Sequence, residues 1–423
     1  MRRRASGARR FTVVAVASVI ALILTACTPN AGATSDLPQQ VAGGFSSDVS
    51  GKLKAAVTDA MKQAGASGAM VGVWAPWAGS WTAGLGTTTL KGSTPVTANM
   101  TFRIAQNTMP MTCSVLLSLV DAGKVELDDA LTKWLPGMVG VDGVTLRELC
   151  QNTSGIGDYQ GQLNAIFLNN PTRQWPALEL ASDGLATQPF GKPGEKLGVS
   201  STNFVLLGMA LENATGKSWQ DLYSSYIFSR LGMQSSSYPG PSQLAVPGAH
   251  PTGYSVGIDA AGAVVCTPMR DVTELSNSMG WTASGVVSNV PDLKAYVQAL
   301  ATGSLLSKAS AKAQATGIPN GSDWQKYGLG MQILGPLRGS AGAMPGYLSA
   351  MYSDPTSGLT IVVALNNSTP GPAFAQYLAQ RLASIASKAP AKVKGAKVVA
   401  GLPWSEAQMT EAMGKTVPCP PAK

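Results

Sequence analysis

The sequence predicts an α+β domain built on antiparallel strands and helices, and three observations carry that prediction. Ala69-Met70-Val71-Gly72-Val73-Trp74 and Ser80-Trp81-Thr82-Ala83-Gly84 are short strand-forming runs joined across Ala75-Pro76, the pattern of a hairpin. Tyr347 to Tyr352 and Leu359 to Leu365 form a second such pair around the turn-forming cluster Asp354-Pro355-Thr356-Ser357-Gly358. Helical periodicity dominates from Thr112 to about Leu231, and Phe374 to Ala386 reads as a closing helix. Without its terminal segments the chain keeps about 340 residues, enough for one large domain with a sizeable core. It shows neither internal repeats nor coiled-coil heptads.

The elements divide the chain into four parts. Residues 1–26 read as an export signal: Arg2, Arg3, Arg4, Arg9 and Arg10 are its basic start, and Phe11 to Leu24 is a mostly apolar run too short and too early for an ordinary spanning helix. Leu24-Thr25-Ala26-Cys27 resembles a bacterial lipobox, which implies cleavage before Cys27 and a lipid on its sulfur. Two or more acyl chains would then hold the protein at the extracytoplasmic face of the cell membrane. Residues 27–46, opening with Thr28-Pro29-Asn30, read as a small-residue tether, residues 47–388 as the folded domain, and residues 389–423 as a Lys/Ala/Pro-rich tail exposed to solvent.

Charge and composition exclude several function classes. The formal +8 includes the five arginines of the signal, which leaves the mature chain near +3. Lys388, Lys392, Lys394, Lys397, Lys415 and Lys423 against Glu406 and Glu411 place +4 in the last 36 residues, so the folded body is close to neutral. The basic balance is therefore no argument for nucleic acid. The single histidine, His250, cannot form a metal site alone, and no metal or cofactor is expected. Setting Cys27 aside, Cys113, Cys150, Cys266 and Cys419 suggest disulfides in an exported protein, with three pairings open.

The candidate site is Phe102-Arg103-Ile104-Ala105-Gln106-Asn107-Thr108-Met109. This block resembles the Phe-Arg-Ile-Ala-Ser-x-x-Lys motif of the serine beta-lactamase and penicillin-binding-protein-like hydrolases, in their class C beta-lactamase, DD-peptidase and esterase branch. In that family the serine is the acylated nucleophile, and the lysine one turn later eases removal of its proton. The resemblance continues in order through Asn152-Thr153-Ser154-Gly155-Ile156, Pro193-Gly194-Glu195-Lys196, Val199-Ser200-Ser201-Thr202-Asn203-Phe204, Ser284-Gly285-Val286-Val287-Ser288, Tyr327-Gly328-Leu329-Gly330 and Pro345-Gly346-Tyr347. It spans about Leu53 to Ala383. It implies an antiparallel sheet with flanking helices beside an all-helical region, with a pocket between them. It also implies that the helices carrying Cys113 and Cys150 lie close, favouring a Cys113–Cys150 bridge and leaving Cys266–Cys419 to tie down the tail.

Set against that family, the chemistry is missing. Gln106 stands at the serine position and Met109 at the lysine position; Val199 and Ser201 replace the tyrosine and asparagine of Tyr-Ser-Asn, and Ser340 replaces the lysine or histidine of the Lys-Thr-Gly or His-x-Gly motif. A carboxamide is no nucleophile, and a thioether has no proton to exchange. Met109 is expected to fill the lysine's space and dry the site. Pro110 is comfortable only in the first turn of a helix. The helix is therefore expected to start at Asn107 to Met109, capped by Asn107 or Thr108. Gln106 would then precede it, out of the one-turn relation with Met109. No serine stands three residues before a lysine. The expectation is a non-catalytic envelope protein that binds a peptidoglycan-derived or other envelope ligand or acts as a scaffold. The alternative is an esterase, peptidase or beta-lactamase with a rebuilt site among Ser200, Ser201 and Ser340.

Overall fold

The computed structural model describes residues 36–259, 263–399 and 401–419. The expected signal, residues 1–26, and residues 27–35 of the expected tether, Cys27 included, lie outside them. The expected hairpins are both present: Gly68–Ala75 pairs with Gly79–Gly86, and Tyr347–Ser353 pairs with Thr360–Leu365. The two hairpins join through the register Val71 to Val363, so residues far apart in sequence form the middle of one sheet. That sheet has eight strands, all antiparallel, and runs from Gly79–Gly86 through Gly68–Ala75, Thr360–Leu365, Tyr347–Ser353, Leu337–Met344, Gln332–Leu334 and Ser322–Tyr327 to Ile318–Asn320.

Both faces of the central strands are covered, which explains why Gly68–Ala75 reads as a continuous apolar run and not as an alternating one. Val71, Val73, Ile361 and Val363 pack with the helices Ser47–Ala64 and Gly371–Ser387. Met70, Met351 and Val362 join the second core, which fills the helical region around Thr108–Asp121 and Ser201–Thr215. Disulfides join Cys113 to Cys150 within that region and Cys266 to Cys419 at the chain's end.

Both terminal segments depart from expectation. Of the tether, Phe45 is buried, and the 41–45 stretch runs along the sheet edge through Val41 N–H to Pro76 O and Phe45 N–H to Ser80 O. The described part of residues 389–423 is not a solvated tail. It carries a helix, Glu406–Gly414, capped by Ser405, and buries Trp404, Met409 and Met413 against the closing helix. The indole of Trp404 donates to Gln380 O at 3.0 Å. Three large apolar side chains at near-helical spacing outweigh the lysines, which keep their ammonium groups at the surface.

Candidate functional site

The motif strand Phe102–Arg103 is fixed first. The Arg103 guanidinium is buried and donates to the carbonyls of Thr273, Leu244 and Leu275 at 2.7, 2.7 and 3.1 Å. Burial lowers its pKa to about 10, so it stays charged at neutral pH, and its role is to pin the strand to Leu244 and to the Thr273 to Leu275 segment. Ala105 follows in a left-handed conformation, φ 53°, which a residue with a Cβ adopts at a cost of roughly 1–2 kcal/mol. That turn aims Gln106 at the sheet.

Gln106 lies before the α-helix as expected, but in a 3-10 turn, Ala105–Asn107, that runs straight into the helix Thr108–Asp121. Gln106 and Met109 thus stay one turn apart, contrary to the expectation that Pro110 would break this relation. The proline sits in the first turn, where its missing N–H costs little. Its absence leaves the Gln106 carbonyl without the usual donor four residues on, and the Ser340 hydroxyl lies 3.5 Å from that oxygen. Asn107 does not cap the helix through its side chain. Its amide donates to Ile104 O at 3.1 Å and to Ser349 Oγ at 2.9 Å, tying the turn to the sheet.

The Gln106 carboxamide is bonded at both ends. Its Oε1 accepts the backbone N–H of Ala343 at 2.8 Å, and its Nε2 donates to Gln160 Oε1 at 3.2 Å. Ala343 offers this N–H because the neighbouring strand stops early: Gln332–Leu334 pairs only with Leu337 to Gly339, so the edge beyond is open. Gly342 permits the approach, since a Cβ there would lie 2.4 Å from Gln106 N. The Gly of Ser340-Ala341-Gly342 therefore serves close packing.

The remaining motif positions are brought together only in part. Ser201 is buried, and its N–H donates to Asp158 Oδ1 at 3.2 Å; the same oxygen accepts Gln160 N–H at 3.2 Å, which links Ser201 through Gln160 to Gln106. Burial raises the Asp158 pKa, partly offset by those two donors. The Ser200 hydroxyl is committed to Gly157 O at 2.8 Å. Met109 is buried, 3% exposed, within the helical core. Val199, by contrast, is 50% exposed. The Asn152 and Asn203 blocks hold each other: Asn203 Nδ2 donates to Asn152 Oδ1 at 2.9 Å, and Ser154 Oγ donates to Asn203 Oδ1 at 2.6 Å.

Two participants were not visible in the sequence. Gln160 belongs to no motif, and Ala343 contributes a backbone atom that any residue but proline would supply. Both also line a cavity of about 430 Å3 beside the motif residues.

Residues 53–386 match the Beta-lactamase family model. The chain belongs to this family. Within it, the chain is similar to Penicillin-binding protein 4* of Bacillus subtilis (strain 168), 27% identical over 270 residues that cover 61% of this chain and 58% of that protein. It is also similar to the D-alanyl-D-alanine-carboxypeptidase/endopeptidase AmpH of Escherichia coli (strain K12), 33% identical over 178 residues, 39% of this chain and 46% of that protein. The chain thus spans less than two thirds of the length of either relative. Among solved structures, the D-stereospecific amidohydrolase from Streptomyces sp. superposes with a TM-score of 0.65 at 27% identity, over 75% of this chain and 95% of that one. The antiparallel sheet with its flanking helices is the beta-lactamase/transpeptidase-like fold.

Proposed function

We propose that this member of the beta-lactamase family is non-catalytic and works as a binding or scaffold protein, lipid-anchored through Cys27 at the extracytoplasmic face of a bacterial cell membrane. The observation that carries the reading is the Gln106 carboxamide, which stands at the nucleophile position and accepts the Ala343 N–H. In the family the third motif lines the oxyanion side of the pocket. A carbonyl laid along that edge would find its donor already taken. Removing members of a catalytic unit typically costs about a million-fold in rate. What remains is a surface that can bind. AmpH and the Streptomyces amidohydrolase are named for D-configured substrates, which supports a ligand derived from peptidoglycan.

Incubation with penicillin or a fluorophosphonate, followed by intact-mass spectrometry, tests the reading. No adduct is expected, and a stoichiometric adduct on any serine would sink it. The competing reading is an active serine hydrolase with a rebuilt site. It has one observation in its favour: the Ser284 hydroxyl is buried beside the cavity and has no hydrogen-bond partner among the described residues, so an adduct mapped to Ser284 would establish it. For the anchor, Cys27→Ala should move the protein from the detergent phase to the aqueous phase or leave it unprocessed. Equal partitioning of the two forms would remove the lipid from the proposal.

A further inference from the structure

A second cavity, of about 160 Å3, lies in the helical region and shares no lining residue with the one beside Gln106. Its construction starts at Gly208, in the helix Ser201–Thr215. A Cβ there would lie 2.5 Å from the Trp281 ring, so the missing side chain lets that indole lie against the helix. Trp281 holds φ 39°, a left-handed conformation that a bulky residue keeps only when its surroundings offset the strain. The Trp219 indole donates to Gly208 O at 3.2 Å, so both tryptophans meet the helix at one point. Glu212 follows one turn on, on the same helical face. These residues and Tyr238 line the cavity, and the exposed Gln220 and Pro241 mark its mouth.

Glu212 is half-buried. Burial raises its pKa, and the Trp219 N–H that its carboxylate accepts offsets part of this. Burial, then Tyr223 and Glu212, raise the pKa of Tyr238, so the carboxylate lies near that phenol. Among the described residues no Lys, Arg or His forms an ion pair with Glu212, and none lines the cavity. A partly desolvated anion is thus left without a counter-charge beside three aromatic side chains, the surroundings that attract a cation. A metal ion would need several oxygen ligands, and no group of three His, Cys, Asp or Glu among the described residues could hold one. We infer that the cavity binds a weakly hydrated organic cation, a methylated ammonium head group held among Trp219, Tyr238 and Trp281 with its charge toward Glu212. The site stands apart from the motif residues, so it binds whether or not they react, and a penicillin adduct and cation binding are read independently.

The test uses the purified full-length protein with its disulfides intact and compares choline with its uncharged isostere dimethylbutanol, in which carbon replaces nitrogen. Binding is measured by calorimetry and by the change in tryptophan fluorescence. Choline should bind at least about tenfold more tightly than the isostere. Two variants locate the site. Glu212→Gln keeps the side-chain size and an oxygen that can accept the Trp219 N–H, so its melting temperature should not fall while choline weakens at least about tenfold and the isostere is unaffected. Gln220→Arg starts from an exposed residue at the mouth and supplies a tethered cation that competes for the cavity, so it should weaken choline by a similar factor in a protein that still folds. Absence of choline binding at millimolar concentration, equal binding of choline and its isostere, or full choline affinity in either folded variant would each overturn the proposal.

Discussion

Replacing Gln106 by methionine keeps the side-chain length and removes both hydrogen bonds, so it isolates what the carboxamide does. The Ala343 N–H, now paired at 2.8 Å, would be left facing a thioether. An orphaned donor costs about 1–3 kcal/mol, and this one sits on a partly exposed strand edge, which places it toward the lower end. Gln160 is half-buried and can replace its 3.2 Å bond from solvent, adding about 0.5 kcal/mol. The larger apolar surface of methionine offsets part of this. A net loss of about 1–2 kcal/mol is expected. Urea unfolding followed by tryptophan fluorescence reads it as a lower midpoint at unchanged slope. Combining Gln106→Met with Gln160→Ala in a double-mutant cycle should give a coupling of at least about 0.5 kcal/mol. If Gln106→Met is as stable as the parent and uncoupled from Gln160, the carboxamide does not bridge the sheet and the helix, and the argument for a blocked edge fails.

Two further outcomes follow from the same geometry. Asp158 has its folded pKa raised by burial, so the folded state holds its proton more tightly, and stability falls as pH rises from the ordinary aspartate range, about 3.9, through the raised value. Asp158→Asn, whose Oδ1 can still accept from Gln160 and Ser201, should stabilise the protein at neutral pH and lose that gain toward about pH 3; unfolding measured across this range checks both ends. Restoring Gln106→Ser, Met109→Lys and Val199→Tyr together should give no penicillin acylation by mass spectrometry, because position 199 is half exposed and Ser340 is unchanged. Adding Pro110→Thr should not help, since the helical run is already continuous from Ala105, and rescue by that fourth change alone would show the proline matters after all.

The hairpins and the closing helix were legible because their signals are local: a strand-forming run, a turn cluster, a helical period. The motif position of Gln106 was legible from order and spacing along the chain. Its partners were not. Ala343 acts through a backbone N–H that is available because the neighbouring strand begins only at Gln332, opposite Gly339, a property of sheet register that no side chain at 343 announces. Gln160 reaches Gln106 across 54 residues from a helix without a motif. The C-terminal segment was misjudged for a different reason: its lysines dominate a count of charge, while Trp404, Met409 and Met413 decide where the backbone goes. Pro110 was rightly placed in the first turn of a helix starting at Thr108; what the sequence did not announce is the 3-10 turn Ala105–Asn107 that carries Gln106 into that helix and keeps it one turn from Met109.

The Gln106 carboxamide can also be viewed as a ligand that never leaves. It is itself a carbonyl compound, held against the Ala343 N–H by its own short side chain. Tethers of this kind give effective concentrations in the millimolar range or above. Any outside carbonyl seeking that donor must first compete with this internal one, so its apparent affinity is discounted by the occupancy of the bridge. Shortening residue 106 would remove the competitor, and the protein that results should hold carbonyl ligands along this edge more tightly than the parent while remaining unable to react with them.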